Sequence, residues 1–538
     1  MTFSIKSEMD LRIQVKDKFF AKYHVSLESK RNNTIEQQEM RARKGAFFTP
    51  KIWVEKSQEY LKKVFGENWQ DEYYVWDCAA GTGNLLAGLT NKYNIWASTI
   101  DQSDVDTMHA LINKSLNLLE SHVFQFDFLN DSFDKLPKGL QEIVNDKEKR
   151  KKLIVYINPP YAEAADTEVI TGRKNKNKTG VAQNKMHEKF TFLKKANREI
   201  FVQFLTRIYL DINGCFIAEF SKLKTLQSPN FIDFRRLFLA KLKKCFVVPA
   251  YTFDNVTGKF PIGFKIWDAK KTEMFSEIFA DVYDEANKLI YQKKYYSYDN
   301  AKRINDWLKL YADTQNTIAA MCCIGNDFQH SNYVNINFKD QLKGTGNAKG
   351  IAKFEITINN IIESSIYYAV RHCVEAAWYN DRDQFLYPND NWKTDKEFQT
   401  DCLIYTLFNN NIQSKHGINH WIPFTEREVN AKEKFESQFM SDFIKGKKLS
   451  VVANNVFESG RKLWRYYHAQ IKDNKKMSVN ASFYDIREYF QGRNEKGTMK
   501  TKSNNEKYNT LISDLRNELK ALANKIQPKI YEYGFLLE

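Results

Sequence analysis

No apolar run in this chain of 538 residues approaches the ~18–20 residues that a membrane-spanning helix needs, so no membrane partner is expected. The opening stretch, Met1 to Asp10, has no apolar segment of the secretory kind, and no export signal is expected from it. The seven cysteines (Cys78, Cys215, Cys245, Cys322, Cys323, Cys373 and Cys402) form no Cys-x-x-Cys pair. That argues against a zinc site or a disulfide scaffold and suits a reducing cytoplasm. The acidic residues Asp381, Asp383, Asp390 and Asp395 lack the spacing and terminal Glu of a calcium loop and read as capped turns, so no metal is expected. No nuclease-like pairing of Asp with Glu-x-Lys is found, which argues against a fused nuclease.

What is present is positive charge and a sizeable apolar fraction. The formal net charge is +15, and 43% of the residues are hydrophobic and 14% aromatic. Such a basic excess points to a polyanion, most often nucleic acid. Basic residues cluster at Gly172–Lys178, at Arg235, Arg236, Lys241, Lys243 and Lys244, and from Arg493 to Lys507. The length allows about three or four domains.

The chain is organised around Leu153–Tyr161. Five apolar residues, Leu153 to Ile157, read as a buried strand that stops at Asn158-Pro159-Pro160-Tyr161. Each proline fixes φ and lacks an N–H, and Asn158, standing before a proline, is held extended. Taken alone this is a tight turn. It also presents two acceptors, the Asn158 side-chain oxygen and the Pro159 carbonyl, beside the ring of Tyr161. That set fits an exocyclic amino group on a planar ring.

Three further strands deliver a polar residue at their ends. Glu72 to Trp76 runs into Asp77-Cys78-Ala79-Ala80-Gly81-Thr82-Gly83-Asn84, with a helix expected from Leu85; the glycines would let a ligand approach the backbone. The spacing is neither Gly-x-Gly-x-x-Gly nor a P-loop. Ile95 to Ile100 ends at Asp101, at the register that suits a ribose diol. Val123 to Phe126 ends at Asp127-Phe128. Upstream, Thr49 reads as the N-cap and Pro50 as the first residue of an amphipathic helix around Ile52 to Phe65. In an open parallel sheet, ligands bind at the carboxyl edge, where Asp77, Asp101, Asp127 and Asn158 would gather.

These residues resemble the adenine-specific N6 DNA methyltransferases of the gamma motif order. Phe47-Phe48-Thr49-Pro50 resembles that family's first cofactor segment. Asp77 to Asn84 resembles its Asp-Pro-Ala-Cys-Gly-Ser-Gly-Asn turn, with Cys78 at the usual proline and Ala80 at the usual cysteine. The resemblance covers about residues 44–270. It implies a Rossmann-like α/β sheet that binds S-adenosylmethionine, followed by a mainly α+β recognition region. Cofactor contacts would come from Phe48, Thr49, Pro50, Asp77, Ala79, Gly81, Gly83, Asn84, Asp101, Asp127 and Phe128. Asp77 and Gly81 would lie near the methionine part, Asp101 at the ribose, and Asp127 with Phe128 at the adenine. Asn158, Pro159, Pro160 and Tyr161 would be catalytic, acting on an adenine flipped from duplex DNA. Past the elbow, Gly214 to Phe220 reads as a fifth strand and Phe253 to Trp267 as a closing hairpin. Phe253 is then the candidate to stack on the base, with Tyr251 an alternative and a core role for Phe253 equally open. Arg173, Lys174 and Lys176, in a polar insertion after the elbow, are candidates for phosphate contact or for an ordinary surface loop.

The expected organisation is a helical arm over 1–40, a catalytic domain over 41–290, and a target-recognition and helical region over 291–538. In that last region Gly344–Gly350 reads as a turn. Arg461–His468 reads as either a nucleic-acid contact or a helix packing its aromatics inward, and 493–505 as a basic linker. Leu511, Leu515, Leu519, Leu522 and Ile526 mark one face of a C-terminal helix. The resemblance also admits a separately encoded restriction nuclease as partner; the recognised sequence and the oligomeric state are not legible. The alternatives are a methyltransferase of RNA adenine or protein glutamine, or an inactive DNA-binding module.

Overall fold

The computed structural model describes residues 48–163 and 182–537, apart from positions within 254–259, 325–350, 380–383 and 472–476 and residues 300 and 376. The arm over 1–40, the basic residues Arg173, Lys174 and Lys176, the Gly344–Gly350 turn, Asp381 and Asp383 lie outside the described residues. The chain forms two compact units that meet at Asp299 and Asn300.

The first unit opens with helix α1 (Lys51–Phe65), which buries Trp53, Val54, Tyr60 and Leu61. Its N-cap is Pro50, not Thr49: the Pro50 carbonyl accepts from the Trp53 and Val54 amides at 2.9 and 3.0 Å. Proline has the fixed φ that a helix entry needs, and the Thr49 hydroxyl is thereby left for another partner.

Nine strands form one sheet: β1 (Tyr74–Asp77), β2 (Ile95–Thr99), β3 (Val123–Gln125), β4 (Leu153–Ile157), β5 (Phe216–Lys222), β6 (Ala240–Pro249), β7 (Pro261–Thr272), β8 (Glu277–Tyr283) and β9 (Leu289–Tyr296). Their spatial order is β3-β2-β1-β4-β5-β7-β6-β8-β9. The first five are parallel, and β7 is antiparallel to both β5 and β6. This is a Rossmann-like sheet, with the order reversing beside β1. Strands β2 and β4 are buried along their whole length, as expected where both faces of a parallel sheet are covered. Helices α2 (Gln102–Leu111), α3 (Lys138–Asn145) and α4 (Ile200–Asp211) follow β2, β3 and β4 in turn.

Two local expectations fail. No α-helix follows the glycine turn: Asn84–Leu86 make a single 3₁₀ turn, and Gly88 then takes a left-handed φ of 88°. Leu85, Leu86 and Leu89 still bury their side chains, so burial is met without a helix in a segment punctuated by Gly, Thr and Asn. The hairpin is made by β6 and β7, so Phe253 lies in the connection after the short turn Ala250–Thr252, not on a strand. The basic cluster at Arg235 is also partly internal: Arg235 is 2% exposed and forks onto the Asp299 carboxylate.

A buried ion pair links β5 and β7. Lys265 Nζ lies 3.1 Å from Glu219 Oε1, both side chains fully buried. Lys265 also donates to Ser221 Oγ at 2.6 Å, and Trp267 Nε1 donates to Glu219 at 3.1 Å. Such extra partners offset desolvation.

The second unit is α+β. A three-stranded antiparallel sheet, β11-β10-β12 (Asn335–Asn337, Thr317–Ile324, Ile351–Thr357), accompanies helices α5 (Ile361–Cys373), α6 (Lys396–Leu407), α7 (Val451–Gln470), α8 (Phe483–Gln491) and α9 (Glu506–Glu532). The Arg461–His468 stretch lies on α7 and packs its aromatics inward. Leu463, Trp464 and Tyr467 are buried, while Arg461 pairs with Glu428 and Glu458 and Arg465 donates to the Glu428 carbonyl. Residues 493–505 are likewise no linker. A tight turn closes with Asn494 N–H on the Thr498 carbonyl at 2.9 Å, and Arg493 is held by Glu488 and Tyr484. Asp395 caps α6 through the Phe398 amide at 2.9 Å, as the capped-turn reading has it. On α9 the buried face is Tyr508, Ile512, Leu515, Leu522, Ile526 and Ile530, while Leu511 and Leu519 are half-buried against the same core.

His468 gives this unit a pH dependence. It is 3% exposed, neither ring nitrogen has a hydrogen-bond partner among the described residues, and burial pushes its pKa down to about 4. The folded state therefore disfavours the proton that the unfolded chain takes up near 6.5. Stability is complete above pH 6.5 and falls as pH drops towards 4, by about 1–3 kcal/mol. Urea unfolding of wild type and His468→Leu at pH 7.5 and 4.5 tests this: the wild type loses more stability on acidification than the variant.

Candidate active site

A cavity of about 380 Å³ opens at the carboxyl edge of β1, β2, β3 and β4. Phe48 and Thr49 line it, as do Asp77, Ala79, Gly81 and Asn84 from the turn after β1, Asp101 after β2, Asp127 and Phe128 after β3, and Asn158 and Pro160 after β4. The topology thus brings together eleven residues singled out in the sequence. Pro50, Gly83, Pro159, Tyr161 and Phe253 do not line it.

Gly81 and Gly83 have positive φ, 52° and 82°, which costs an L-residue but not glycine. A Cβ at Gly83 would also stand 2.9 Å from Leu116 Cδ1, so this glycine serves the packing of the turn. At Gly81 the nearest atom to such a Cβ is Cε1 of Phe48, at 3.8 Å, so the ring of Phe48 borders the open backbone. Asp77 is 1% exposed and accepts from the Ala79 amide at 3.0 Å. Burial raises its pKa to about 7, opposed by that amide.

Asp101 starts α2 without capping it through its side chain. Asp127 organises its own loop instead: its carboxylate accepts from the amides of Leu129 and Asn130 at 3.0 and 3.2 Å and from the Asn130 side chain at 2.8 Å. Phe128 is 2% exposed and stacks on Phe204, centroids 5.1 Å apart.

At the elbow, Asn158 Nδ2 donates to Thr49 Oγ1 at 2.9 Å, and Tyr161 OH donates to Asn158 Oδ1 at 2.7 Å. Tyr161 is 6% exposed, and its ring meets Phe201 edge-on at 6.4 Å. Phe253 is 2% exposed and packs against Phe220 at 5.8 Å, which is the core role left open for it. Tyr251 is 38% exposed, with its hydroxyl donating to Glu285.

Several contributors were not singled out in the sequence, among them Asp104, which lines the cavity beside Asp101, and Ile100, Phe126 and Arg207. Ile100 is 53% exposed yet lines the cavity, offering an apolar face where a core strand residue was expected. Its position one past the last residue of β2 is the signal that could have found it. Phe126 also lines the wall. Arg207, on α4 and 4% exposed, donates to the carbonyls of Phe128 and Asp131 (the latter at 2.7 Å) and lies over the Phe133 ring at 4.5 Å, pinning the Asp127 loop. No local pattern in the sequence links Arg207 to that loop.

The lining fits an organic cation with a planar heterocycle. Four carboxylates border it (Asp77, Asp101, Asp104, Asp127), with Ile100, Phe126 and Phe128 as apolar walls, and among the described residues no Lys or Arg lines it. A polyphosphate ligand would meet like charge here, whereas a sulfonium and an ammonium group would be attracted.

No protein-family model matches the chain, and no curated protein matches it. Among solved structures, the chain is similar to the type IIG restriction endonuclease BpuSI at 18% identity over 44% of this chain and 27% of that one, with a TM-score of 0.28. It is similar to a modification subunit assigned to a type I restriction enzyme from Vibrio vulnificus at 15% identity over 50% and 53%, with a TM-score of 0.30. A third similarity is to the type IIL restriction-modification enzyme MmeI, solved in complex with DNA, at 9% identity over 96% and 78%, with a TM-score of 0.35. The chain spans about a quarter of the length of the BpuSI chain and half that of the modification subunit. Among the described residues no helix is long and apolar enough to cross a membrane.

Proposed function

We propose that the chain is a site-specific DNA methyltransferase that transfers a methyl group from S-adenosylmethionine to N6 of an adenine turned out of the duplex. The observation that carries this reading is the shared cavity: Asn158 and Pro160 of the elbow line the same space as Asp77, Gly81 and Asp101.

S-adenosylmethionine, when bound, supplies a methyl group activated by its sulfonium. Asp77 and the open backbone at Gly81 hold the amino-acid end, and Asp101 accepts from the ribose hydroxyls. Ile100, Phe126 and Phe128 enclose the adenine ring. Asn158 Oδ1 and the Pro159 carbonyl accept the two hydrogens of the target amino group and draw its nitrogen towards sp³ character. The acceleration comes from holding that nitrogen at the cavity and from dipoles fixed before the substrate arrives; the methyl group replaces one of its hydrogens, which leaves as a proton to solvent. A stacked base cannot reach the elbow, so the target leaves the duplex first. The net charge of +15 favours the DNA encounter.

The assay is transfer of labelled methyl from S-adenosylmethionine to duplex DNA of mixed sequence, with RNA and a protein extract in parallel. Label on DNA is the expected result. Label only on RNA or protein overturns the substrate; binding without transfer to any acceptor overturns the catalytic reading.

Asp101→Ala separates the two halves of the site. Its dissociation constant for S-adenosylmethionine should rise about 10–100-fold, the loss of one or two hydrogen bonds to a charged acceptor. The single-turnover rate at saturating cofactor should stay within about threefold of wild type. A rate loss matching the affinity loss would remove Asp101 from the ribose.

A further inference from the structure

In the second unit, Arg461 pairs with Glu428 and Glu458, and Arg493 pairs with Glu488. Arg487, on α8, is different. Its guanidinium lies over the ring of Phe483, 5.5 Å from the centroid. Its Nε is buried without a hydrogen-bond partner among the described residues, and no carboxylate among them pairs with it.

A second cation stands beside it. Arg516, exposed on α9, is near enough to repel Arg487, and the Tyr508 hydroxyl lies within reach of the charge of both. The two helices meet at that point. The Tyr508 ring stacks on Phe490 of α8 with centroids 4.5 Å apart, and its hydroxyl donates to Gln491 Oε1 at 2.9 Å. Gln491 stands one turn after Arg487, so both project from the same side of α8. Burial holds Arg487 below its ordinary pKa; the hydroxyls of Tyr508, Tyr484 and Tyr368 oppose this, and Arg516 adds to it. A guanidinium still keeps its charge at neutral pH.

A half-buried cation without an acceptor costs free energy, and a like charge beside it adds to the cost. An anion arriving from outside relieves both terms at once. Guanidinium groups present forks of N–H donors that match the oxygens of a phosphate. Packing on Phe483 limits the freedom of one fork before the ligand arrives.

We propose that Arg487 and Arg516 together bind a backbone phosphate of duplex DNA, which gives the second unit a grip on the substrate. This rests on the reading of the chain as a DNA methyltransferase. Such a contact positions the duplex and reads no base.

The test uses the full chain and mixed-sequence duplex DNA, with binding followed by fluorescence anisotropy from about 50 to 200 mM salt. Arg487→Met keeps a stem over Phe483 and removes the charge. Arg516→Gln changes an exposed position and leaves the buried one intact. Each should weaken binding about 3–10-fold at the lower salt and flatten the slope of log affinity against log salt by about one. The dissociation constant for S-adenosylmethionine should stay within about twofold in both. Arg487→Met should unfold at or above the wild-type temperature, because it removes an unpaired charge.

DNA affinity and salt slope unchanged in both variants would overturn the proposal. A lower unfolding temperature in Arg487→Met, with wild-type DNA binding in Arg516→Gln, would make the pair structural and overturn it too. So would inorganic phosphate that raises the unfolding temperature of the wild type alone while all three proteins bind DNA equally, since the site would then take a free oxyanion. Binding is read without turnover. A wild type that binds DNA and methylates nothing therefore removes the catalytic reading, and the two variants still decide the phosphate contact.

Discussion

Asn158→Ala should lower methyl transfer on the order of 10²–10³-fold, the scale for removing one preorganised partner of a reacting group, while the dissociation constant for S-adenosylmethionine stays within about threefold. The expectation rests on where Asn158 stands. It follows the last residue of a fully buried strand, is held by Thr49 and Tyr161, and lines the cavity. Truncating it removes one acceptor for the substrate and leaves the carboxylates around the cofactor in place. Isothermal titration with S-adenosylmethionine and a single-turnover transfer assay on the same preparation separate the two. A parallel loss of binding and rate would mean that the elbow supports the fold of the cavity and holds no base.

The second large effect concerns Asp77, where function and stability oppose each other. Its carboxyl is 1% exposed, and burial lifts its pKa from an ordinary 3.8 to about 7. The native state binds that proton more tightly than the unfolded chain does. The contribution is therefore favourable below about pH 4, declines as pH rises, and at pH 8 has cost about 2–4 kcal/mol. Asparagine would still accept from the Ala79 amide and cannot ionise. Asp77→Asn should thus be more stable than wild type at pH 8, by about that amount, and equal to it near pH 4. The same change removes an anion that faces a cationic ligand, so cofactor affinity should fall at least about tenfold. In the wild type, affinity should weaken as pH drops below 7, where Asp77 takes up its proton, and in Asp77→Asn that slope should vanish. Chemical denaturation at the two pH values, with cofactor titration from pH 6 to 8, checks both signs. A variant less stable than wild type at pH 8 would contradict the assigned burial cost.

The parts of this site that depend on local rules were legible in the sequence. Leu153–Ile157 read as a buried strand because it is continuously apolar, and the prolines after it mark its end; the strand has those bounds in the structure. Asp77, Asp101 and Asp127 could be placed because residues at the carboxyl ends of parallel strands converge whatever the loops between them do. The helix expected after Asn84 was not there, since helix propensity says nothing about burial that a 3₁₀ turn can also satisfy. The role of Phe253 stayed open for a related reason. An aromatic near a hairpin fits a base-stacking role or a core role equally well, and only its burial against Phe220 separates them. Arg207 and the Thr49–Asn158 contact were out of reach because each joins segments far apart in the chain, and no pattern within either segment marks its partner. In the second unit, Trp464 and Tyr467 recur at helical spacing between basic residues. That spacing fits both a nucleic-acid contact and a core face, and the ion pairs of Arg461 favour the core face.

The central claim is chemical: an exocyclic adenine nitrogen receives the methyl group at the Asn158 elbow. The measurement that meets it most directly is nucleoside mass spectrometry of unmethylated duplex DNA after incubation with the wild-type chain and S-adenosylmethionine, with Asn158→Ala alongside. The account predicts N6-methyldeoxyadenosine with wild type, at one recurring sequence, and none above background with the variant. A methylated cytosine in its place, or methyladenine formed equally by both proteins, would contradict it.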